Sequence, residues 1–339
     1  MRVLLLLHHD LMPPESIEGL SDTEVAPFRT EYDVRTGLTD LGHEVLLQPV
    51  ADELGPIRRA IQETRPHIAF NLLVEFQGVG IYDAHVISWL ELLKCPYSGC
   101  NPRGMLLARD KALTKKILAW HRIPVPQFAV FPLGKPVRLR RPLQFPLIVK
   151  STIEEASLGI SQASIVADEE RLAERVEFVH RTVGTDAIAE EYIEGRELTI
   201  GVLGNQRLTT FPVWEMRFNK LPEGVAPIAT ARVKWDLEYQ QKIGIECGRA
   251  EGIAPELEAR MARLAKRVYR ALGLSGYARL DLRLAPDGRV WVLEANPNPE
   301  LAYGEDFAES AASTGLKYPQ LLQRILNLGR RYRAAWKHD

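Results

Sequence analysis

Residues 277–300, YARLDLRLAPDGRVWVLEANPNPE, are typical of a β-hairpin. Side chains alternate along a strand, so Arg279 and Asp281 point to one face and the leucines between them to the other. The turn centred on Asp287-Gly288 folds the second strand back along the first. Asp281 is therefore expected beside residues 293–294, with the register known only to about one residue.

Three oxygen donors should meet on that face next to the cation Arg279: Asp281, Glu294 and Asn296. Hard oxygen ligands without imidazole or thiolate favour Mg²⁺, which takes a few carboxylates together with phosphate oxygens. The alternative is an exposed hairpin face with an incidental Asp–Arg pair. That alternative is less attractive, because an apolar strand (VWVL) is followed directly by Glu-Ala-Asn-Pro.

A second segment, residues 146–161 (PLIVKSTIEEASLGIS), suggests phosphate binding. A strand presents Lys150 at its end, and the small residues of 156–159 form a loop whose backbone N–H groups could close over an anion. The Walker A pattern is absent, and no G-x-G-x-x-G follows the first strand, so a Rossmann dinucleotide site is unsupported. By itself this element also fits a solvated strand end.

A third segment, residues 187–205 (AIAEEYIEGRELTIGVLGN), suggests a linker between two lobes. An extended chain ending at Tyr192-Ile193 and followed by Gly195 could offer backbone groups to an adenine edge. Glu197 could accept hydrogen bonds from ribose hydroxyls. Taken alone, Glu197 would be an ordinary surface carboxylate.

The first ~95 residues alternate strand and helix patterns in the order βαβαβα, which predicts an α/β unit with a parallel sheet. Strands are expected at 3–7, 44–49 and 67–73. Later strands are expected at 127–131, 146–150, 162–166 and 187–192, and a hairpin pairs 198–203 with 208–213. Helices are expected at 30–41, 57–65, 84–93, 110–120, 168–181, 255–272 and 319–327.

Composition sets the protein class. The 339 residues carry 43 Lys and Arg against 44 Asp and Glu, a formal net charge of -1, so neither a nucleic-acid nor a membrane partner is expected. No apolar run is long enough for a transmembrane helix. Three cysteines are too few for a disulfide framework, which favours the cytoplasm.

In order and spacing, four segments resemble the ATP-grasp superfamily, and above all its D-alanine–D-alanine ligase branch. They are ARDKALTKKIL around Lys111, PLIVK, EEYIEGRELTIGVLGN, and ARLDLRL…VWVLEANPNP. The resemblance covers roughly residues 95–330, and the last motif is highly specific. It implies an ATP-grasp fold behind the N-terminal parallel-sheet domain, with domains at 1–100, 101–193 and 194–339. It also implies small-molecule carboxylate and amine substrates and a homodimer.

The resemblance further implies roles for single residues. Lys111 and Lys150 would contact nucleotide phosphates, and two Mg²⁺ ions, replaceable by Mn²⁺, would bind the three oxygen donors of the hairpin. Arg279 would stabilise negative charge on an acyl phosphate and its tetrahedral intermediate, and the loop serine Ser157 is kept. Adenine and ribose would contact Glu190, the backbone of Glu191, Tyr192 and Ile193, and Glu197. A flap contact to phosphate would come from Arg217, Lys220 or Lys234.

The departures from the family pattern concern the substrate. The family's Gly-Gly-x-Ser-x-Glu loop is replaced by residues 8–15, and its His-Gly-x-x-Gly-Glu-Asp-Gly loop by residues 71–78. Glu15 and Glu75 are therefore candidate substrate residues. Metal binding by His8 and His9 is disfavoured, because neighbours on an extended segment point apart.

Glu300 stands where the family has a glycine that approaches a substrate carboxylate. Its bulk and charge would repel that carboxylate. We therefore expect D-alanine not to be the preferred amine substrate, and a cationic or amide-bearing acceptor to fit better.

Three functions follow from these patterns. The first is an ATP-dependent carboxylate–amine ligase forming a peptide-like bond through an acyl phosphate. The second is a nucleotide-binding homologue that has lost catalysis and acts as a sensor or partner protein. The third is an ATP-grasp ligase that joins groups other than amino acids.

Overall fold

Three β-sheets, formed by three successive stretches of sequence, organise the chain. The computed structural model describes residues 1–154 and 159–337. No helix within these ranges is long and apolar enough to cross a membrane.

The first stretch forms a parallel three-stranded sheet in the order β2-β1-β3. Leu5 and Leu7 on β1 pack into one apolar cluster while Leu4 and Leu6 pack into another, so both faces of the sheet are covered. This is the alternating α/β unit expected from the sequence. Its elements are β1 (Arg2–His8), α1 (Asp22–Val25), α2 (Arg29–Asp40), β2 (Glu44–Val50), α3 (Gly55–Thr64), β3 (Ile68–Asn71) and α4 (Asp83–Leu92).

The second stretch forms an antiparallel four-stranded sheet in the order β4-β7-β5-β6. The strand expected at 162–166 is shorter than predicted, because residues 162–164 form a 3₁₀ turn in which the Ser161 N–H donates to Ser164 Oγ. The elements are α5 (Pro102–Arg109), α6 (Lys111–Trp120), β4 (Phe128–Phe131), β5 (Leu147–Ser151), β6 (Ile165–Val166), α7 (Glu169–Thr182) and β7 (Ala187–Glu191).

The third stretch forms a six-stranded sheet in the order β11-β10-β8-β12-β13, with β9 paired to β8. The hairpin expected between 198–203 and 208–213 is confined to two residue pairs, because β10 takes over as the partner of β8. The elements are β8 (Arg196–Leu203), β9 (Thr209–Thr210), β10 (Trp214–Phe218), α8 (Ala231–Trp235), α9 (Leu237–Ile243), β11 (Ile245–Arg249), α10 (Pro255–Ala271), β12 (Tyr277–Leu284), β13 (Val290–Asn296), α11 (Asp306–Ala312) and α12 (Tyr318–Arg331).

The last helix packs against the first sheet. Leu322 and Ile325 on α12 share an apolar cluster with Val34 and Leu38 of α2 and with Leu5 of β1. A Cβ at Gly37 would lie 2.7 Å from Leu322 Cδ1, so the small residue permits close helix contact. Helix α2 is thereby fixed beside the loop that follows β13, which positions one wall of the site.

Candidate active site

The β12–β13 hairpin carries the expected oxygen donors on one patch. Asp281 pairs with Glu294 and Arg279 with Asn296 across the two antiparallel strands. The irregularity in register lies just after Asp281, so the predicted register holds at the polar end of the hairpin. The buried side of β12 holds Leu280, Leu282 and Leu284, as their alternation predicts.

Arg279 binds Asp281 through two hydrogen bonds. Its Nε lies 2.8 Å from Asp281 Oδ1, and a terminal nitrogen lies 3.0 Å from Oδ2. Burial opposes the charge of Arg279, but Asp281, with Asp306 and Glu294, outweighs it and raises the pKa. The guanidinium therefore stays charged beside the oxygen donors.

Two buried lysines face the hairpin from the second sheet and from α6. Lys115 Nζ and Lys150 Nζ each lie 3.3 Å from a different carboxylate oxygen of Glu190. Lys115 also donates to the Leu293 carbonyl at 2.6 Å, next to Glu294. Burial lowers the pKa of Lys115 to about 8, although Glu190 opposes that shift.

Lys150 remains cationic. Burial works against its charge, but the carboxylates of Glu190, Glu294 and Asp281 outweigh that effect and raise its pKa. Lys150 is 9% exposed, so these carboxylates act at short range with little solvent between them. The residue therefore presents a fixed positive charge to the cleft.

Lys111 lies at the start of α6 on the same side. Its Nζ donates to the Glu154 carbonyl at 2.6 Å and lies 3.8 Å from Glu294 Oε2. Ser151 Oγ accepts from the N–H of Glu154 at 3.1 Å and so holds the start of the segment that leads to the predicted loop. Ser157, predicted in that loop, lies outside the described residues.

The predicted linker joins the second and third sheets. The N–H groups of Glu191 and Tyr192 donate to Gln127 and Pro146, both at 2.9 Å. Ile193 is half-buried and follows directly. The linker backbone is thus anchored up to the residue before Ile193.

Glu197 lies beyond the linker on β8. Its Oε2 accepts from Arg283 at 3.0 Å, and Arg283 also donates to the carbonyls of Gly195 and Pro227. The Arg283 guanidinium lies 5.6 Å from the ring centre of Tyr192. One buried arginine therefore ties the linker to the strand that carries Glu197.

A cavity of about 400 Å³ opens beside Glu197 and is also lined by Arg217. Arg217 donates to Glu246 at 3.1 Å and lies 3.8 Å from Glu215. Lys220 is exposed, and the side chain of Lys234 lies outside the described residues. Arg217 therefore lines the same cavity as Glu197.

The candidate substrate residues lie on two loops and differ in their surroundings. Glu15 is exposed, while Glu75 Oε1 lies 3.2 Å from His8 Nε2. Glu300 is exposed and accepts from Thr30 Oγ1 at 3.2 Å.

The expectation that His8 and His9 point apart is wrong. Their ring centres are 4.6 Å apart, because the chain leaves the strand at His9 and enters a 3₁₀ turn. Ligand atoms of His8, His9 and Asp10 all lie within 4.8 Å of one another.

Sequence reasoning missed several residues of this region. Lys115 could have been predicted from the sequence, because it lies four residues after Lys111 and therefore on the same face of the helix. Arg283 could also have been predicted, because it is the third charged residue on alternating positions of β12. Glu31 on α2 is 4% exposed. It could not have been predicted from the sequence, because its position depends on contacts between segments that are far apart in the chain.

Comparison with known proteins identifies the family of this chain. The family model described as D-ala D-ala ligase C-terminus matches residues 119–327. A D-alanine–D-alanine ligase of Desulforudis audaxviator is 32% identical over 314 residues, which cover 91% of this chain and 95% of that protein. The chain belongs to the D-alanine–D-alanine ligase family.

Members of this family are ATP-grasp enzymes that form carbon–nitrogen bonds, and the predicted family and enzyme class are confirmed. An uncharacterized Sinorhizobium fredii protein, y4sG, is 30% identical over 264 residues, which cover 78% of this chain and 75% of that one. Similarity within the family therefore extends to a protein of unassigned substrate.

The fold is confirmed as well. The crystal structure of a Bacillus anthracis D-alanine–D-alanine ligase complexed with ATP superposes with a TM-score of 0.75, covering 98% of both chains at 23% identity. The α/β architecture with an N-terminal parallel sheet, expected from the sequence, is thus shared with that enzyme.

Proposed function

We propose that this protein is an ATP- and Mg²⁺-dependent ligase that joins a carboxylate to an amine through an acyl phosphate, with an acceptor other than D-alanine. The observation that carries the proposal is the hairpin patch of Arg279, Asp281, Glu294 and Asn296 facing Lys111 and Lys150. Cations and carboxylates alternate there at short distances. That arrangement suits a triphosphate and its metal ions.

The donor set fits Mg²⁺. Asp281 accepts from Arg279 with both oxygens, and since a carboxylate has about four acceptor positions, these two bonds are compatible with metal binding. Asn296 Oδ1 accepts from the Asn298 N–H at 3.0 Å, which orients the amide. Bound Mg²⁺ would neutralise charge on the phosphate oxygens.

The chain's own residues would do the remaining work. Lys111 and Lys150 would hold phosphate oxygens, and Arg279 would stabilise the charge that develops when a carboxylate oxygen attacks the terminal phosphorus of ATP. Ser157, Glu190, the backbone of residues 191–193, and Glu197 keep the roles assigned from the resemblance as proposals. The ATP complex of the Bacillus anthracis relative supports ATP as the nucleotide.

Glu300 supports the change of substrate. It is held by Thr30 at the cleft and adds a negative charge where a carboxylate-bearing acceptor would approach. Glu15 and Glu75 are proposed to line the same substrate region. The three domain boundaries and the homodimer are further proposals.

The experiment is ATP-dependent phosphate release with a panel of amino acids and dipeptides, each with and without hydroxylamine. Hydroxylamine traps an acyl phosphate as a hydroxamate, whatever the natural amine. We expect hydroxamate with at least one carboxylate and no preference for two D-alanines. Clear preference for two D-alanines would overturn the substrate proposal. Tight ADP binding without turnover on any panel member would favour the sensor alternative.

A further inference from the structure

Two loops of the N-terminal unit meet at one edge of the first sheet. Strand β1 ends at His8 and β3 ends at Asn71, and the two strands are parallel neighbours, so the segments that follow them leave the sheet at the same edge. Open parallel sheets bind their ligands beyond the carboxyl ends of the strands. His8 Nε2 lies 3.2 Å from Glu75 Oε1, so these two segments are in direct contact.

Three consecutive residues, His8, His9 and Asp10, place two imidazoles around one carboxylate and are here called the histidine cluster. His8 Nδ1 lies 3.7 Å from Asp10 Oδ2, and His9 Nε2 lies 3.1 Å from Asp10 Oδ1. The chain turns at His9 from the strand into a 3₁₀ turn, which brings the two ring centres to within 4.6 Å. The cluster therefore combines two nitrogen donors with a carboxylate in one short segment.

The distances within the histidine cluster suit a transition-metal ion. Zn²⁺ binds nitrogen and oxygen at about 2.0–2.2 Å, so two ligands of a tetrahedral ion lie about 3.3 Å apart. The two nitrogen-to-oxygen distances lie on either side of that value, and the three ligand atoms are all within 4.8 Å of one another. The side chains of His9 and Asp10 are 50% and 71% exposed, so they can rotate onto an ion without disturbing the core.

The surroundings of His8 leave one of its ring nitrogens to an ion. The Asp10 N–H donates to Nδ1 over a long 3.3 Å, so in the neutral imidazole Nδ1 carries the lone pair and Nε2 carries the proton. That Nε2–H lies against Glu75 Oε1. Histidines that bind a metal through one nitrogen commonly donate the other N–H to a carboxylate, which orients the ring. Glu75 has the position of that carboxylate.

The loop that carries Glu75 is held to the β12–β13 hairpin. The Leu73 carbonyl accepts from Asn298 Nδ2 at 2.9 Å. The Asn298 N–H in turn donates to Asn296 Oδ1 at 3.0 Å. Two hydrogen bonds thus connect the proposed Mg²⁺ patch to the loop that orients His8, while the histidine cluster itself lies on a different segment.

Ligand chemistry also separates the two places. The hairpin offers only oxygen donors, which suit Mg²⁺, whereas two imidazoles with a carboxylate suit Zn²⁺ and its neighbours among the transition metals. Three protein ligands leave a coordination position open, as in catalytic zinc sites. Because the histidine cluster lies on a loop proposed to line the substrate region, water or a donor atom of the substrate could take that position.

We propose that the histidine cluster binds a divalent transition-metal ion of the Zn²⁺ class through His8 Nδ1, His9 Nε2 and the Asp10 carboxylate. Glu75 orients His8 from the neighbouring loop. This ion is additional to the two Mg²⁺ ions of the proposed ligase reaction. Its binding does not depend on that reaction, since none of its ligands belongs to the proposed nucleotide or Mg²⁺ sites.

The test is a calorimetric titration of the full, untagged chain with ZnCl₂ in excess Mg²⁺, after the protein has been treated with a chelator. We expect one Zn²⁺ per chain. His8→Asn and His9→Asn should each weaken the binding about a hundredfold, and Glu75→Gln about tenfold, because an amide oxygen still accepts from His8 but carries no charge. Full affinity in both histidine variants, or no Zn²⁺ binding by the parent, would overturn the inference.

Control variants localise the ion. His121→Asn removes an exposed histidine directly after α6, and Asp281→Asn removes a carboxylate of the hairpin patch. Both should bind Zn²⁺ as tightly as the parent. An equal loss in His121→Asn, or a loss confined to Asp281→Asn, would overturn the assignment. His9→Asn carries the test even if His8→Asn is unstable to urea, because the His9 side chain is half exposed.

Co²⁺ in place of Zn²⁺ reports the kind of ligand. The Co²⁺-loaded chain should show visible absorption of an ion bound by nitrogen and oxygen at fewer than six positions, and His9→Asn should lose it. A thiolate charge-transfer band in the near ultraviolet would instead place the ion on a cysteine such as the exposed Cys247, and would overturn the assignment.

Failure of this inference and failure of the ligase proposal give different results, because metal binding is measured without nucleotide or substrate. Histidine-dependent Zn²⁺ binding by a chain that forms neither hydroxamate nor phosphate would leave the metal site standing and remove the ligase. Hydroxamate formation by a chain that binds no Zn²⁺ would leave the ligase standing and remove the metal site.

Discussion

Charged groups are arranged differently on the proposed nucleotide side of the cleft and on the acceptor side, which carries Glu31, Glu300 and Glu305. On the nucleotide side, Lys115 and Lys150 share Glu190, and Arg283 is matched to Glu197. On the acceptor side, Glu31 and Glu305 lie near Glu300, and burial raises the pKa of each of these two carboxyls to about 7. Cations offset the cost of burial for the carboxylates on the nucleotide side, whereas at Glu31 and Glu305 burial is the largest influence and favours the neutral carboxyl.

The largest expected effect is at the boundary between the two sides. Arg279→Lys should lower kcat by roughly 10²- to 10³-fold, because an ammonium cannot keep the paired hydrogen bonds to Asp281 and also reach the developing charge. The rate of hydroxamate formation in the presence of hydroxylamine measures this loss of kcat. Arg289→Lys, at the exposed turn of the same hairpin, is the control and should retain activity. A variant Arg279→Lys with more than a tenth of the activity would contradict the role of Arg279.

The second effect tests how strongly the nucleotide side depends on matched charge. Lys115→Met leaves the Leu293 carbonyl without its donor and Glu190 with one cation instead of two. We expect the free energy of unfolding to fall by about 3 kcal/mol, the lower end for breaking a buried pair. Urea unfolding compares it with Lys116→Met, an exposed neighbour on the same helix. Equal losses in the two variants would mean that the buried pairing contributes little.

The acceptor side should respond in the opposite direction. The pKa of Glu31 rises from 4.5 to about 7 on folding, so between these pH values the folded chain binds more protons and stability falls as pH rises. Glu31→Gln stays neutral, and we expect it to be about 3 kcal/mol more stable than the parent at pH 8. The difference should vanish below pH 4.5.

Urea unfolding at pH 4.5 and pH 8 measures that difference. Glu44→Gln, exposed on β2, is the control variant. A Glu31→Gln chain less stable than the parent at pH 8 would show that the carboxylate is satisfied in the folded protein.

The smallest effect concerns nucleotide affinity alone. Glu197→Gln weakens the charge-assisted bond to Arg283 and the proposed ribose contact, so KM for ATP should rise about tenfold, or 1.4 kcal/mol, with kcat nearly unchanged. Glu258→Gln on α10 provides the control. An equal fall in kcat would place Glu197 in the chemical step instead.

The same contrast explains what the sequence could predict. The pairing of Asp281 with Glu294 followed from one turn and a period of two, both local properties. Lys150 followed from its place at a strand end. The contact between Thr30 and Glu300 could not be predicted in this way, because tertiary packing brings these residues together from positions 270 apart in the sequence. The burial of Glu31 likewise depends on that packing and corresponds to no periodic pattern in the sequence.

The packing of α12 on α2 and β1 has a consequence for how the protein is made. Synthesis on the ribosome proceeds at about 5–20 residues per second, so α12 emerges on the order of tens of seconds after α2. Throughout that interval the apolar face of Leu5, Val34 and Leu38 lacks the helix that covers it in the finished protein. The nascent first sheet therefore exposes apolar surface that can bind chaperones or aggregate until the last helix docks.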